Sequence, residues 1–501
     1  MIPGVVGTES RALRDRFQRW FDRSAGADLA PASLVDRLQP TGWAPFGYLA
    51  LAAGLAVAIY GLSEIPVGPA HFVLTLVALA LAAVAVVYPA CGIVLVIGAV
   101  LIMPPSTRVP GIGPISPNLL FSVATALGFL IRLLQARRSL AWSSLYFALT
   151  PLLVLHAAFA LVGYGPRAPV FFQTFVQGTF PFAVTNTAQR SQSMLMLGLI
   201  GVVTAYTSRS LYLLVVEGFP SCWNPYPHYS GGLGPLRYGH TLYGDPATVL
   251  AWIANLMVAL TFGLFAFARS WQSRVFFLIT FLVSLLVAWM SLARGGMIGS
   301  AIAITVVSVL AWRAHRKVTT ALGVTLALGV ITFVSSCLPL IPHVQETMGI
   351  DLGRRDESRG AILVEGLSRF TGPNPLFSEE DIADAGDWGG MPNLLVGDGP
   401  GARRGYHSYV INSAVDYGLP FLGLVLLMLW LILRNGVRLV RATREADPLV
   451  RGAAIGLLAG AIVAVFQAVF DTTLRVAGYA MIFWYLRGIE ASLLSSLTRD
   501  E

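Results

Sequence analysis

Apolar runs of about 20 residues, the length an α-helix needs to cross a bilayer, recur along nearly the whole chain. They fall at 43–63, 68–88, 90–104, 117–135, 144–164, 168–188, 193–217, 247–268, 274–292, 295–312, 318–341, 408–433, 451–470 and 475–495. Segment 90–104 is short and 168–188 carries Gln173, Thr174, Gln177 and Thr179, so the pattern predicts twelve to fourteen spans. Barrel-type alternation is absent, and helices satisfy their own backbone polar groups in lipid, so the expected fold is an all-α polytopic integral membrane protein. No internal repeat is visible. Most connections are short. Two are not: 218–246, and above all 342–406, too long and too polar to be a mere connector.

The layout is therefore a polar segment 1–42, helices over 43–341, a large loop at 342–406, and C-terminal helices with a short tail over 407–501. The first segment has no cleavable signal pattern. Within it Leu13, Phe17, Trp20 and Phe21 share one helical face, with Arg14, Arg16, Arg19 and Arg23 around the rest. That arrangement suits either an amphipathic helix on an anionic leaflet or a basic tail.

Composition agrees with the pattern. Of 501 residues 55% are hydrophobic and 12% charged, with a mean hydropathy of +0.69, whereas ordinary soluble domains are about 25% charged. The net charge of +8 is carried by 33 arginines and one lysine, the usage of a GC-rich bacterial genome. It is read as topological, with no nucleic acid implied.

With the N-terminus inside, the cytoplasmic connections receive Arg132/Arg137/Arg138, Arg190, Arg269/Arg274, Arg313/Arg316/Lys317 and Arg434/Arg438/Arg441/Arg444/Arg451. This is the positive-inside asymmetry. It expects both termini in the cytoplasm of a bacterial inner membrane and places loops 218–246 and 342–406 on the periplasmic side. Cys91, Cys222 and Cys337 form no metal motif.

The expected outer face then gathers polar groups. Arg294 lies in Ser291-Leu292-Ala293-Arg294-Gly295-Gly296, at a tight break between helices, and Arg237 and His240 precede another helix. Arg354, Arg355 and Arg359 open the long loop; Arg403, Arg404 and His407 close it. Asp471 and Arg475 flank the last turn and are read as a structural pair. Arg209 is expected near the outer interface, while His71 and His156 lie in apolar spans as packed or interfacial residues. Guanidinium forks grip phosphate oxygens in bidentate fashion, and fixed cations stabilise the charge that builds on a departing diphosphate. A histidine supplies a base to a sugar hydroxyl without a metal. Aromatic residues at Trp223, Tyr226, Tyr229, Tyr238 and Tyr243 suit sugar faces or an interfacial belt. Loop 342–406 holds eleven acidic residues against six arginines, the balance of a folded lid with internal ion pairs.

Arg294 at the helix break, Arg359 before the stretch Ala361–Phe370, Leu395-Val396-Gly397-Asp398-Gly399-Pro400-Gly401, and His407-Ser408-Tyr409-Val410 with Asp416-Tyr417-Gly418-Leu419-Pro420 come in that order. Together they resemble the O-antigen ligase/polymerase superfamily over about residues 230–490. Ser408 stands where that family usually has Asn. The resemblance implies a C-type membrane glycosyltransferase, metal-independent, inverting and without a cofactor. It would move a glycan from undecaprenyl diphosphate to a sugar hydroxyl on a lipid-linked repeat unit or on lipid A core, at the periplasmic face. Carried over, Arg294 and one or more of the loop arginines, Arg359 favoured over Arg354 and Arg355, hold the diphosphate, and His407 serves the acceptor hydroxyl; Arg294, Arg359 and His407 form the catalytic set. Arg354, Arg355, Arg237, His240 and Arg404 are the further substrate-binding candidates. Polymerase, ligase and protein glycosyltransferase all fit, with a lean toward a polysaccharide polymerase. A transporter or flippase of lipid-linked or small anionic substrates is the rival class. The argument against it is that the spans look nearly charge-free at their centres while polar groups gather at the outer ends.

Overall fold

The computed structural model describes residues 69–102, 109, 115–136, 140–189, 191–216, 247–290, 295–312, 400 and 408–498. Among them every regular element is helical: α1 (Pro69–Val87), α2 (Pro89–Ile102), α3 (Pro117–Ala136), α4 (Tyr146–Val162), α5 (Ala168–Ala188), α6 (Gln192–Val216), α7 (Ala247–Phe267) and α8 (Trp271–Met290). There follow α9 (Gly295–Trp312), α10 (Tyr409–Ala442), α11 (Pro448–Phe470), a 3-10 turn (Thr473–Arg475) and α12 (Ala477–Leu497). Seven of these helices are long and apolar enough to cross a membrane. Large apolar side chains stand open around the bundle, with Leu161 87% and Val162 80% exposed. Such surface suits lipid as its solvent, and the chain is a multi-pass membrane protein. The expected spans 43–63 and 318–341, the N-terminal segment and nearly all of the 342–406 loop lie outside the described residues.

Lipid offers no hydrophobic drive between helices, so close contact depends on small residues. One close seam joins α7 to α11. A methyl group on Gly456 would stand 2.8 Å from Leu260 Cα and 2.9 Å from Ala259 O, while Gly263 lies against Gly452. The paired residue numbers run in opposite senses, so these helices are antiparallel. In the α5–α12 seam Gly178 meets Ala480, and Gly488 meets Thr185 and Phe182, so this pair is parallel. At α9, Gly299 lets Asn255 of α7 approach closely, and Ser300 Oγ lies 2.6 Å from Asn255 Oδ1.

One end of the bundle is rich in arginine. There Arg132 donates to Val87 O, Arg274 Nε to Ala268 O at 2.8 Å, Arg269 faces Asp447 at 3.4 Å, and Arg451 lies over Phe267. The junctions α4–α5, α10's start and α11–α12 lie at the opposite end.

The span expected at 408–433 is the main departure. The helix continues to Ala442 and is severed at Gly418 (φ 84, ψ 178). Pro420 has no N–H to return to the preceding turn and disfavours helical geometry at Leu419, and only glycine takes Gly418's φ without strain. The continuation past 433 is cationic; arginine is a good helix former whose charge favours a helix C-terminus. After the break, Leu419–Ala442 is long enough at about 1.5 Å per residue to cross a hydrocarbon core of about 30 Å by itself.

Candidate functional site

Tyr409–Tyr417 is thus a short helix of its own, packed inside the end of the bundle opposite the arginine-rich one. Ser408 caps it: its Oγ accepts from Ile411 N at 3.2 Å, with extended backbone at the cap. Serine is among the preferred N-cap residues because its hydroxyl satisfies a free N–H of the first turn.

Two contacts tie this helix to the turn between α11 and α12. Tyr409 N donates to Asp471 O at 2.9 Å, and Asp416 Oδ2 faces Arg475 Nη2 at 2.6 Å, the side chains 10% and 16% exposed. Arg475, expected to pair with its near neighbour Asp471, reaches across to Asp416 on α10. Asp471 ends α11 with its N donating to Gln467 O at 2.7 Å, and its Oδ1 accepts from Thr472 N at 2.9 Å. The Arg475 guanidinium lies 4.6 Å over the Phe171 ring, a cation–π contact that fixes its plane.

The α4–α5 junction completes the wall. Gly163 ends α4 in the left-handed region at φ 72, and Gly165 follows at φ 93. Arg167 N then donates to Pro400 O at 2.9 Å, fastening the end of the long loop to the start of α5. Arg167 is exposed beside that contact and was not among the expected site residues. Behind it His156 is packed as expected: its Nδ1 lies 2.9 Å from Tyr417 Oη, and Phe175, Tyr417 and Phe421 enclose the ring. Phe159 packs on both Tyr164 and Tyr417.

The strip 401–407, with Arg403, Arg404 and His407, is therefore held at both flanks. Pro400 is fastened to α5, and Ser408–Tyr409 to a cap and to the α11–α12 turn. The strip itself lies outside the described residues, as do all the expected site residues: His407, Arg294, Arg359, Arg354, Arg355, Arg237, His240 and Arg404. Arg294 immediately precedes α9 in the chain. Among the described residues no group of His, Cys, Asp and Glu could hold a metal ion.

Charge deep in the bundle was not expected. Arg487 and Glu490, near the middle of α12, are 1% and 2% exposed and paired with each other, and Arg487 Nη2 also donates to Leu457 O at 2.9 Å. Arg209 on α6 is 3% exposed. The spans are not charge-free at their centres.

The sequence matches no protein-family model and no curated protein.

Proposed function

We propose that the protein transfers or polymerises a glycan carried on undecaprenyl diphosphate, at the periplasmic face of a bacterial inner membrane. Arginines at that face would hold the diphosphate leaving group, and His407 would take the proton of the acceptor hydroxyl. The observation that carries the reading is the framed strip 401–407. His407 of the resembling motif, with Arg403 and Arg404 beside it, sits on seven residues whose flanks are bonded into the helix bundle, at the end opposite the cationic connections. Anchored flanks are what a reacting group needs, because small misplacements cost large factors in rate. The positive-inside bias makes the opposite end periplasmic. Lipid-linked donor, acceptor glycan and membrane lipid are the partners this chemistry requires.

The test compares wild type with Arg294→Ala and His407→Ala in the native host at matched membrane levels. Loss of long-chain polysaccharide with undecaprenyl-linked single repeats accumulating identifies a polymerase. Full-length lipid-linked glycan left unattached to core identifies a ligase. Unchanged glycans in both variants overturn the assignment.

The broken α10 and the buried charges Arg209, Arg487 and Glu490 favour a second reading, transport or flipping of an anionic or lipid-linked substrate. Discontinuous helices and charges away from the surface are transporter features. Movement of a labelled lipid-linked glycan across proteoliposomes, with no new glycosidic bond formed, would select it.

A further inference from the structure

The long part of α10 turns one face to the bundle and the other outward. Inward, Asn435 Oδ1 accepts from Ser144 Oγ at 3.0 Å, and Gly436 stands against Leu458 of α11. Outward, Leu419, Leu426, Trp430, Arg434, Val437 and Arg441 are all exposed. They follow one another at three, four or seven residues, the spacing that shares one side of a helix. Arg438 is exposed beside them. The stripe is therefore apolar as far as Trp430 and cationic from Arg434 onward. Among the described residues none of its three arginines is in an ion pair. The nearest acids along the chain, Glu445 and Asp447, lie beyond the helix end, and Asp447 faces Arg269.

Arg434 is also deep. Counted at about 1.5 Å per residue, it stands about 22 Å along the helix from Leu419, inside a hydrocarbon core of about 30 Å. A long cationic side chain near a helix end ordinarily snorkels outward to the headgroups. Arg434 instead lies 5.1 Å over the ring of Trp430, one turn farther in. The ring attracts the guanidinium but does not neutralise it, and a cation held at that depth requires an anion brought to it.

We propose that this face of α10 is a binding site for one anionic phospholipid, its phosphate on Arg434 and its acyl chains along Leu426 and Leu419. A guanidinium fork matches phosphate oxygens. Arg438 and Arg441, farther toward the helix end, add attraction for a headgroup of net negative charge, which selects phosphatidylglycerol over a zwitterionic lipid. A second copy of the chain is a poor match, because a two-fold contact sets a patch against itself, here arginine against arginine. The site lies at the arginine-rich end of the bundle and does not depend on the glycan-transfer reading.

The test titrates the full-length protein in detergent with phosphatidylglycerol and, separately, with phosphatidylcholine, and counts bound lipid by native mass spectrometry. The wild type should retain one phosphatidylglycerol at least about tenfold more tightly than phosphatidylcholine. Arg434→Gln/Arg438→Gln/Arg441→Gln should weaken phosphatidylglycerol by about a hundredfold, at roughly fivefold per guanidinium, and leave phosphatidylcholine as it was. Arg269→Gln/Arg274→Gln/Arg444→Gln removes the same charge from the neighbouring corner and should leave retention nearly unchanged. Of the single changes Arg434→Gln should cost the most, and Arg434→Lys should recover part of it, since lysine keeps the charge without the fork.

Equal retention of the two lipids would overturn the site. So would equal losses in the two triple variants, which would reduce the effect to net charge. A complex of twice the chain's mass that the α10 substitutions split would give this face to a second copy and overturn it as well. Should the α10 triple variant not fold, Arg434→Gln decides alone, and undiminished retention of phosphatidylglycerol there overturns the site.

Discussion

Arg487–Glu490 and Asp416–Arg475 are ion pairs that differ in what they join. Arg487 and Glu490 lie one turn apart on α12, almost wholly buried, with Leu457 O of α11 as a further partner for the guanidinium. Asp416 and Arg475 belong to different elements and retain some exposure at the end of the bundle. A pair formed within one helix is present as soon as that helix forms, so it can brace the bundle but couples no distant parts of it. A pair between a severed helix and a turn exists only when both are in place, so it transmits the position of one to the other. Burial sets how much stability a pair holds; sequence separation sets what it can couple.

The sharpest way to break the comparison is to strand a charge. Glu490→Leu leaves Arg487 buried without its carboxylate and should cost about 3–5 kcal/mol, read as thermal unfolding in detergent. The double Arg487→Leu/Glu490→Leu should regain most of it. If single and double unfold alike, the cost does not come from the stranded guanidinium. Asp416→Asn should cost less stability than Glu490→Leu, since solvent reaches that pair, yet lower glycan transfer more per folded molecule. The opposite ranking would erase the distinction.

Gly456→Ala tests whether stability and positioning separate elsewhere in the bundle. Its methyl group meets backbone atoms of α7, so unfolding should cost about 1–3 kcal/mol, with transfer per folded molecule unchanged. Ser408→Ala should cost about 1 kcal/mol through the lost cap, and Ser408→Asn close to nothing; transfer should fall only in the first. Tyr417→Phe removes the His156 hydrogen bond and is the mildest, about 0.6 kcal/mol as for typical interhelical bonds in membranes. A larger loss there would mean that the aromatic cluster, not the ion pair, holds the short helix.

Much of the helical frame was legible in advance. The expected segments 68–88, 117–135, 168–188, 247–268 and 295–312 coincide with helices to within a residue or two, because each is a local run of apolar residues. The break in α10 had a visible signal, Gly418-Leu419-Pro420, which was read as part of a family pattern rather than as a stop in the helix. Arg487 and Glu490 were equally visible, and α12, which carries them, is not among the helices apolar enough to count as candidate spans. Arg167 carried no signal, since its place beside the loop's end depends on where Pro400 docks.

Membrane residence, most of the helical segments and the cationic connections were all readable from the amino-acid order. Those properties follow from the length of apolar runs against a bilayer of given thickness and from arginines counted loop by loop, both local quantities. Helix packing, by contrast, brings Asp416 to Arg475, fastens Tyr409 to Asp471, and ties Pro400 to the start of α5. Partners far apart in the chain are chosen by how the helices pack, and in lipid that packing depends on shape and polar satisfaction rather than on hydrophobicity, which every span shares.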